Sequence, residues 1–325
     1  MNNGYTWYGH PFSYFSMKLD AALKFYALSY EKKEISLGTE LEPIRKRAGT
    51  HMIPVLETPE GWALWDTTPI MFLLDSRHPD RPMFGPGLSG LMVHVIENFL
   101  DEWLGRTMVH YRWHYQDSTE FAAPRLASGD AEKAKGIATW GLRACRATGV
   151  GSEHQQEMAE VEYKRLLRAA DTQLQETRYL MGDAPCAVDA VMLGGLRAHT
   201  MNDPAPSRLV RQFPHVVKWA EGGADLWDGS GNLAPASTPT GFATAMLAEM
   251  RNGFIPFILG NRKALANRDK SFIARVYNED VSYLTRPYPE AACQMVNKHI
   301  QRLQRGDEAP LTAISAWGLQ ALYAG

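Results

Sequence analysis

Pro54 constrains this chain more than any other single residue. It sits in Met52-Ile53-Pro54-Val55-Leu56-Glu57, an apolar run that otherwise reads as a short buried strand. Proline removes a ladder donor, so it belongs at a sheet edge or beside a ligand. Thr58-Pro59-Glu60-Gly61 supplies the fixed and positive φ values of a hairpin turn, and Trp62 to Trp65 reads as the returning strand. Asp66-Thr67 then begins a helix through Ile70, Phe72, Leu73 and Leu74. Its first N–H groups and positive dipole end suit a carboxylate. A strand edge beside such a helix start is a place to hold a short acidic peptide.

The rest of the chain supplies the frame. Tyr5 to Tyr8 reads as an aromatic strand, and Ser13 as the N-cap of a helix carrying Phe15, Leu19, Ala22, Leu23 and Tyr26. Lys32 to Leu37 reads as a strand and Leu41 to Ala48 as a basic helix. This order predicts a small mixed α/β sheet: a parallel strand-helix-strand unit, then an antiparallel hairpin. Residues 1–78 form this domain and the Pro/Gly-rich residues 79–88 a linker. Residues 89–228 form an all-α domain. In it Leu91, Val95, Phe99, Trp103, Thr107, His110/Tyr111 and His114 share one face of a long helix. Phe121 to Val150 reads as helix broken at Pro124 and at glycines, Glu153 to Thr177 as an amphipathic helix, and Asp189 to His199 as a buried one. Residues 229–325 form an additional, mostly helical extension, with a strand near Phe272 to Val276.

Composition removes several classes. A net charge of −2 provides no basic field for nucleic acid. Three scattered cysteines, Cys145, Cys186 and Cys293, form neither a disulfide framework nor a zinc-finger spacing. The opening residues lack the build of a signal peptide, and no apolar run approaches the ~20 residues of a membrane span. The expectation is a soluble cytoplasmic protein. His110 and His114 have the i, i+4 spacing of two metal ligands, but no Glu follows His110 as in the zinc-protease motif. A packed or pocket-lining pair, without metal, is the expectation.

Five pieces together resemble the glutathione S-transferase superfamily. Ser13-Tyr14-Phe15-Ser16-Met17-Lys18 is similar to the family's opening of the first helix. Met52-Ile53-Pro54-Val55-Leu56 resembles its strand with a cis-proline, and Asp66-Thr67-Thr68-Pro69-Ile70 its Glu-Ser-x-Ala-Ile motif. Gly182-Asp183-Ala184-Pro185-Cys186-Ala187-Val188-Asp189 resembles the capping motif of the family's buried helix, followed by Phe213-Pro214 to Trp219. The five stand in family order over residues 5 to 220.

The resemblance implies a thioredoxin-like first domain, an all-helical second domain and a homodimer. It implies a glutathione transferase of detoxification type, with glutathione as co-substrate and a small hydrophobic electrophile as second substrate. Ile53, beside Pro54, would pair through its backbone with the cysteinyl unit. Asp66 would take the γ-glutamyl ammonium and Thr67 its carboxylate. Met52 stands where the family often has a lysine for the glycyl carboxylate, leaving Arg45, Arg47 or His51. Ser13 is the first candidate to stabilise the thiolate, Ser16 the second and Tyr8 the third. No cysteine precedes Cys145, which implies a serine-type rather than a cysteine-type member. Asp189 would cap a helix rather than catalyse. Tyr111 and His114 would border the electrophile pocket. Ether or halide cleavage, disulfide reduction with two glutathiones, and a non-catalytic binding protein on the same fold are the alternatives.

Overall fold

The computed structural model describes residues 4–35, 42–304 and 307–323; the side chains of 42, 43 and 45 lie outside that description. Ser36, Leu37 and Leu41, expected at element ends, also fall outside it. The first unit runs β1 (Tyr5–Gly9), α1 (Tyr14–Phe25), β2 (Tyr30–Glu34), α2 (Glu42–Ala48), β3 (Val55–Glu57), β4 (Ala63–Trp65) and α3 (Thr67–Arg77). The sheet order is β2-β1-β3-β4, with β1 parallel to β2 and antiparallel to β3, and β3 antiparallel to β4. This is the predicted thioredoxin-like mixed sheet. Several bounds shift: β1 runs on to Gly9, β2 begins at Tyr30 rather than Lys32, β4 begins at Ala63 rather than Trp62, and β3 begins at Val55 because Pro54 cannot donate to the ladder.

Helices follow: α4 (Gly87–Trp103), α5 (Gly105–Trp113), α6 (Gln116–Leu126), α7 (Ala131–Ala147), α8 (Glu153–Glu176), α9 (Ala187–Gly195), α10 (Pro204–Val210) and α11 (Pro214–Ala220). The single long helix expected through His114 is two helices, broken at Leu104 before Gly105. Pro124 sits inside α6, and the break falls at residues 127–130, where Ser128 and Gly129 take positive φ. The extension adds α12 (Gly241–Glu249), α13 (Phe254–Asn267), a hairpin of β5 (Ser271–Val276) and β6 (Glu279–Leu284), then α14 (Pro287–Leu303), α15 (Ala309–Ala316) and α16 (Gln320–Tyr323). Its Phe242, Phe254, Phe257, Val296 and Tyr323 belong to one continuous core with α1, α4, α8 and α9.

Helix α9 is buried along its whole length and lies against α1. Gly194 permits that approach: a Cβ there would stand 2.6 Å from Tyr14 O and 2.9 Å from Lys18 N. Asp189 holds its start, accepting from Leu180 N and Cys186 N, each at 2.9 Å, in the capping role expected. Trp103, Tyr111 and Trp113 are core residues.

The extension is fastened to α4 at a histidine pair. His94 and His299 approach Nδ1 to Nδ1 at 3.3 Å, and His94 meets the stacked rings of Phe72 and Phe84 edge-on. Burial, then His299, drives the His94 pKa well below the ordinary value; burial and Arg302 lower His299 to about 4. The unfolded chain therefore binds more protons below about pH 6.5 than the folded one, and stability falls as pH drops from there towards 4. Each histidine contributes a slope of about 1.4 kcal/mol per pH unit while it titrates only in the unfolded state. Urea unfolding from pH 7 to 4.5 is expected to show this fall, and His299→Gln to flatten it. An unchanged slope in that variant would remove the pair from the account.

Candidate active site

The site is built where three elements converge on Pro54. The Ile53–Pro54 peptide is cis, and among the described residues no backbone partner takes the N–H or C=O of Ile53. The edge that the proline opens is thus available to an extended peptide. Asp66, at φ 71°, turns the chain from β4 into α3, whose first residues Thr67 and Thr68 are buried. Asp66 stands at the N-cap of α3 without a close side-chain capping bond, and it lines the site.

Between them lies a cavity of about 200 Å³. Met52, Ile53, Pro54, Trp65, Asp66 and Thr67 line one side and Phe15 the start of α1. Asp101 and Glu102 of α4 line the opposite side, together with Arg286 and Tyr288 from the extension. Tyr288 meets Trp65 edge-on with centroids 6.0 Å apart. Phe15 and Met52, 38% and 37% exposed, mark the opening to solvent. A groove of about 530 Å³ between α7 and β6 is larger, but none of the candidate residues lines it.

Lys18 lies behind the lining acid Asp101, without exposed surface. Its Nζ reaches Glu97 at 2.6 Å, Asp101 at 2.5 Å and Thr68 Oγ1 at 3.1 Å. Burial opposes its charge, but Asp101 and Glu97 outweigh that and hold its pKa above the usual lysine value. Asp101 is raised to about 6, by burial against the pull of Lys18, and Glu102 to about 8, by burial and by Asp101. Asp66 is exposed at the mouth, yet the crowded wall and then Asp101 raise its carboxyl too. The cavity is therefore acidic, with carboxyls poised to ionise fully when a cation arrives.

The three hydroxyl candidates separate. Ser13 caps α1, accepting from Ser16 N at 3.3 Å, which leaves its own O–H proton to donate elsewhere. It stands two residues before Phe15. Ser16, the second candidate, is wholly buried, and its Oγ has no partner among the described residues. Tyr8 packs with Ile44, Val55 and Trp65, and its O–H donates to Glu57 at 2.9 Å. None of Ser13, Ser16 and Tyr8 lines the cavity itself; Phe15 of the same helix start does. Tyr111 and His114 do not line it either. The break at Leu104 redirects α5, so that Tyr111 is core and stacks on Tyr115, while His114 contacts His110, which bonds Glu160. Of the basic candidates, Arg47 is occupied by Glu57 and Gly61 O, and His51 is exposed one residue before the lining. The side chain of Arg45 lies outside the described residues. Among the described residues no cluster of three or more His, Cys, Asp or Glu could hold a metal, and no helix is long and apolar enough to cross a membrane.

Comparison with known proteins agrees with this geometry. Residues 8–82 match the glutathione S-transferase N-terminal domain and residues 163–222 the glutathione S-transferase C-terminal domain. The chain thus carries matches to both domains of a glutathione S-transferase, in the family's order. No curated protein sequence matches it. Among solved structures it resembles the β-etherase LigF of Sphingobium sp. strain SYK-6, at 13% identity and a TM-score of 0.51, over 70% of this chain and 96% of that one. A glutathione S-transferase of Rhodospirillum rubrum F11 is similar at 17% identity and a TM-score of 0.49, over 69% and 89% of the two chains. One from Methylobacillus flagellatus KT, with glutathione bound, is similar at 15% identity and a TM-score of 0.46, over 67% and 93%. At these identities the likeness is one of fold.

Lys18, Glu97, Asp101, Glu102, Arg286 and Tyr288 escaped the sequence reading. Lys18 had a signal as the basic end of the first-helix motif. The acids of α4 and the pair from the extension had none, because no local pattern ties them to Pro54.

Proposed function

We propose that this protein is a glutathione transferase that presents the glutathione thiolate to a small hydrophobic electrophile. The observation that carries the reading is one cavity bordered by the free edge of Ile53, the cis-proline, the Asp66-Thr67 helix start and the apolar rings of Phe15, Trp65 and Tyr288. The residues fit a γ-glutamyl tripeptide. Ile53 offers backbone pairing to its middle unit, Thr67 its N–H and hydroxyl to a carboxylate, and Asp66 an acceptor to an ammonium. The bound tripeptide supplies a thiol, which ionises with pKa of roughly 8.5 when free.

Ser13 holds that charge. Its donor proton and the N-terminal end of α1 both favour the ionised sulfur. A hydrogen bond to an ion contributes about 1.5–3 kcal/mol, or roughly ten- to a hundredfold in rate. Ser13→Ala is thus expected to raise the pKa of bound glutathione, read from thiolate absorbance, and to lower kcat by about that factor while KM changes little. Unchanged ionisation and turnover would transfer the role to another group. Ether or halide displacement is the same attack on a different leaving group, and a panel of aryl ether, alkyl halide and small disulfide substrates separates these. A non-catalytic binding protein would be retained on immobilised glutathione without ionising the thiol. A cytoplasmic homodimer completes the reading, with sedimentation as its check.

A further inference from the structure

Two parts of the cavity wall, α4 and one turn of the extension, come from neither segment that the family comparison matches, and the turn is the part outside both domains. It lies between β6 and α14 and brings Arg286 against Asp101 and Glu102. Arg286 is held with unusual care. Asn261, fully buried on α13, clasps its backbone from both sides: Asn261 Oδ1 accepts from Arg286 N at 2.9 Å, and Asn261 Nδ2 donates to Arg286 O at 2.8 Å. The guanidinium lies over the Phe257 ring, 5.5 Å from its centroid. Its Nε is buried with no hydrogen-bond partner among the described residues. A buried donor without a partner costs about 1–3 kcal/mol, so this half-buried side chain has a hydrogen-bonding position left to fill.

The charges around it narrow the ligand. Arg286 is the only cation among the residues lining the cavity, beside Asp101 and Glu102 and across from Asp66, while Lys18 pairs with Asp101 from behind. Three carboxyls and one guanidinium around one cavity match an ammonium and a carboxylate carried close together. Neither a thiol nor a hydrophobic electrophile calls for that set; the head of an α-amino acid does. We propose that the extension completes the substrate site, and that Arg286 binds a carboxylate there, with the α-carboxylate of the γ-glutamyl head as the source its acidic neighbours favour. This rests on the glutathione reading. A carboxylate on the second substrate is the other source of the same chemistry. Arg286 would grip either in bidentate fashion, which a lysine cannot reproduce.

Calorimetric titration of glutathione and of 4-aminobutyryl-cysteinyl-glycine, which lacks the α-carboxylate, into wild type, Arg286→Met and Arg286→Lys tests the proposal. The Asn261 clasp acts on backbone, so both variants are expected to fold. Arg286→Met should weaken glutathione about ten- to a hundredfold, Arg286→Lys less, and neither should further weaken the analogue. If glutathione affinity is unchanged but KM rises for an acidic electrophile and not for its amide, Arg286 binds the second substrate's carboxylate. Equal weakening of glutathione and analogue, or no change for any ligand, overturns the assignment of Arg286 while leaving the glutathione reading intact. A wild type that binds no glutathione overturns that reading first, and this one with it.

Discussion

Lys18→Met is expected to destabilise the protein by about 3–5 kcal/mol at neutral pH, the cost of leaving buried charges without a partner. Lys18 has no exposed surface, Glu97 is 1% exposed and Asp101 11%. The three lie on α1 and α4, and Thr68 of α3 joins them by donating its hydroxyl to Glu97 at 2.6 Å. One ammonium thus ties the thioredoxin-like unit to the helical one directly behind the cavity. Methionine fills similar volume, so the loss comes from charge rather than from a void. In the variant, Glu97 and Asp101 face each other without a cation, which pushes their folded pKa values above the unfolded ones. Groups shifted that way contribute stability below the unfolded pKa and lose it as pH rises through the folded pKa. The deficit should therefore be small near pH 5 and large near pH 8. Urea unfolding at both pH values measures it, and a deficit under about 1.5 kcal/mol at pH 8 would mean the network is worth no more than a surface pair.

What could be read in advance followed the range of the signals. The sheet was legible because each strand carries its own local marks: Tyr5 to Tyr8 ends at a Gly-His-Pro stop, and Pro54 and Gly61 punctuate the hairpin. The proline's place at a free edge was legible for the same reason. Helix α4 could be assigned from its apolar period, but its continuation could not. Gly105 is a weak helix breaker, and the turn at Leu104 that takes Tyr111 and His114 away from the cavity depends on packing rather than on propensity. The burial of Ser16 carries no local mark, since it depends on the neighbouring strand: Trp7 Nε1 donates to its carbonyl at 3.0 Å. Arg286 and Tyr288 lie more than 200 residues beyond Pro54, in a segment whose own pattern says only helix and strand. Their approach to Trp65 is a tertiary fact. The acids of α4 were hidden in an amphipathic face, where a buried Glu and a solvated one look alike until Lys18 is placed behind them.

Arg112→Met is expected to cost a similar 3–5 kcal/mol and to act on the candidate thiolate donor as well. Arg112 is buried and makes four bonds: Nε and Nη2 reach Asp203 at 2.8 and 3.2 Å, Nη2 the Ala198 carbonyl at 2.7 Å, and Nη1 the Phe12 carbonyl at 2.8 Å. The last bond anchors the segment immediately before Ser13 to the helical unit. Methionine would leave Asp203 buried and unpaired, and would release that anchor. His199 supplies a signature that separates this from simple loss of packing. Its Nδ1 lies 3.7 Å from Asp203, and burial and then the Arg112 charge lower its pKa to about 4. Without Arg112 the imidazole can protonate at a higher pH and pair with Asp203. A raised histidine pKa contributes stability that is present at low pH and lost as pH rises through it, so the variant should recover part of its deficit at pH 5.5 relative to pH 8. Arg112→Met with His199→Gln should lose that recovery. If thermal unfolding shows equal deficits at both pH values in the single variant, Asp203 has not recruited the histidine, and the anchor rather than the ion pair carries the cost.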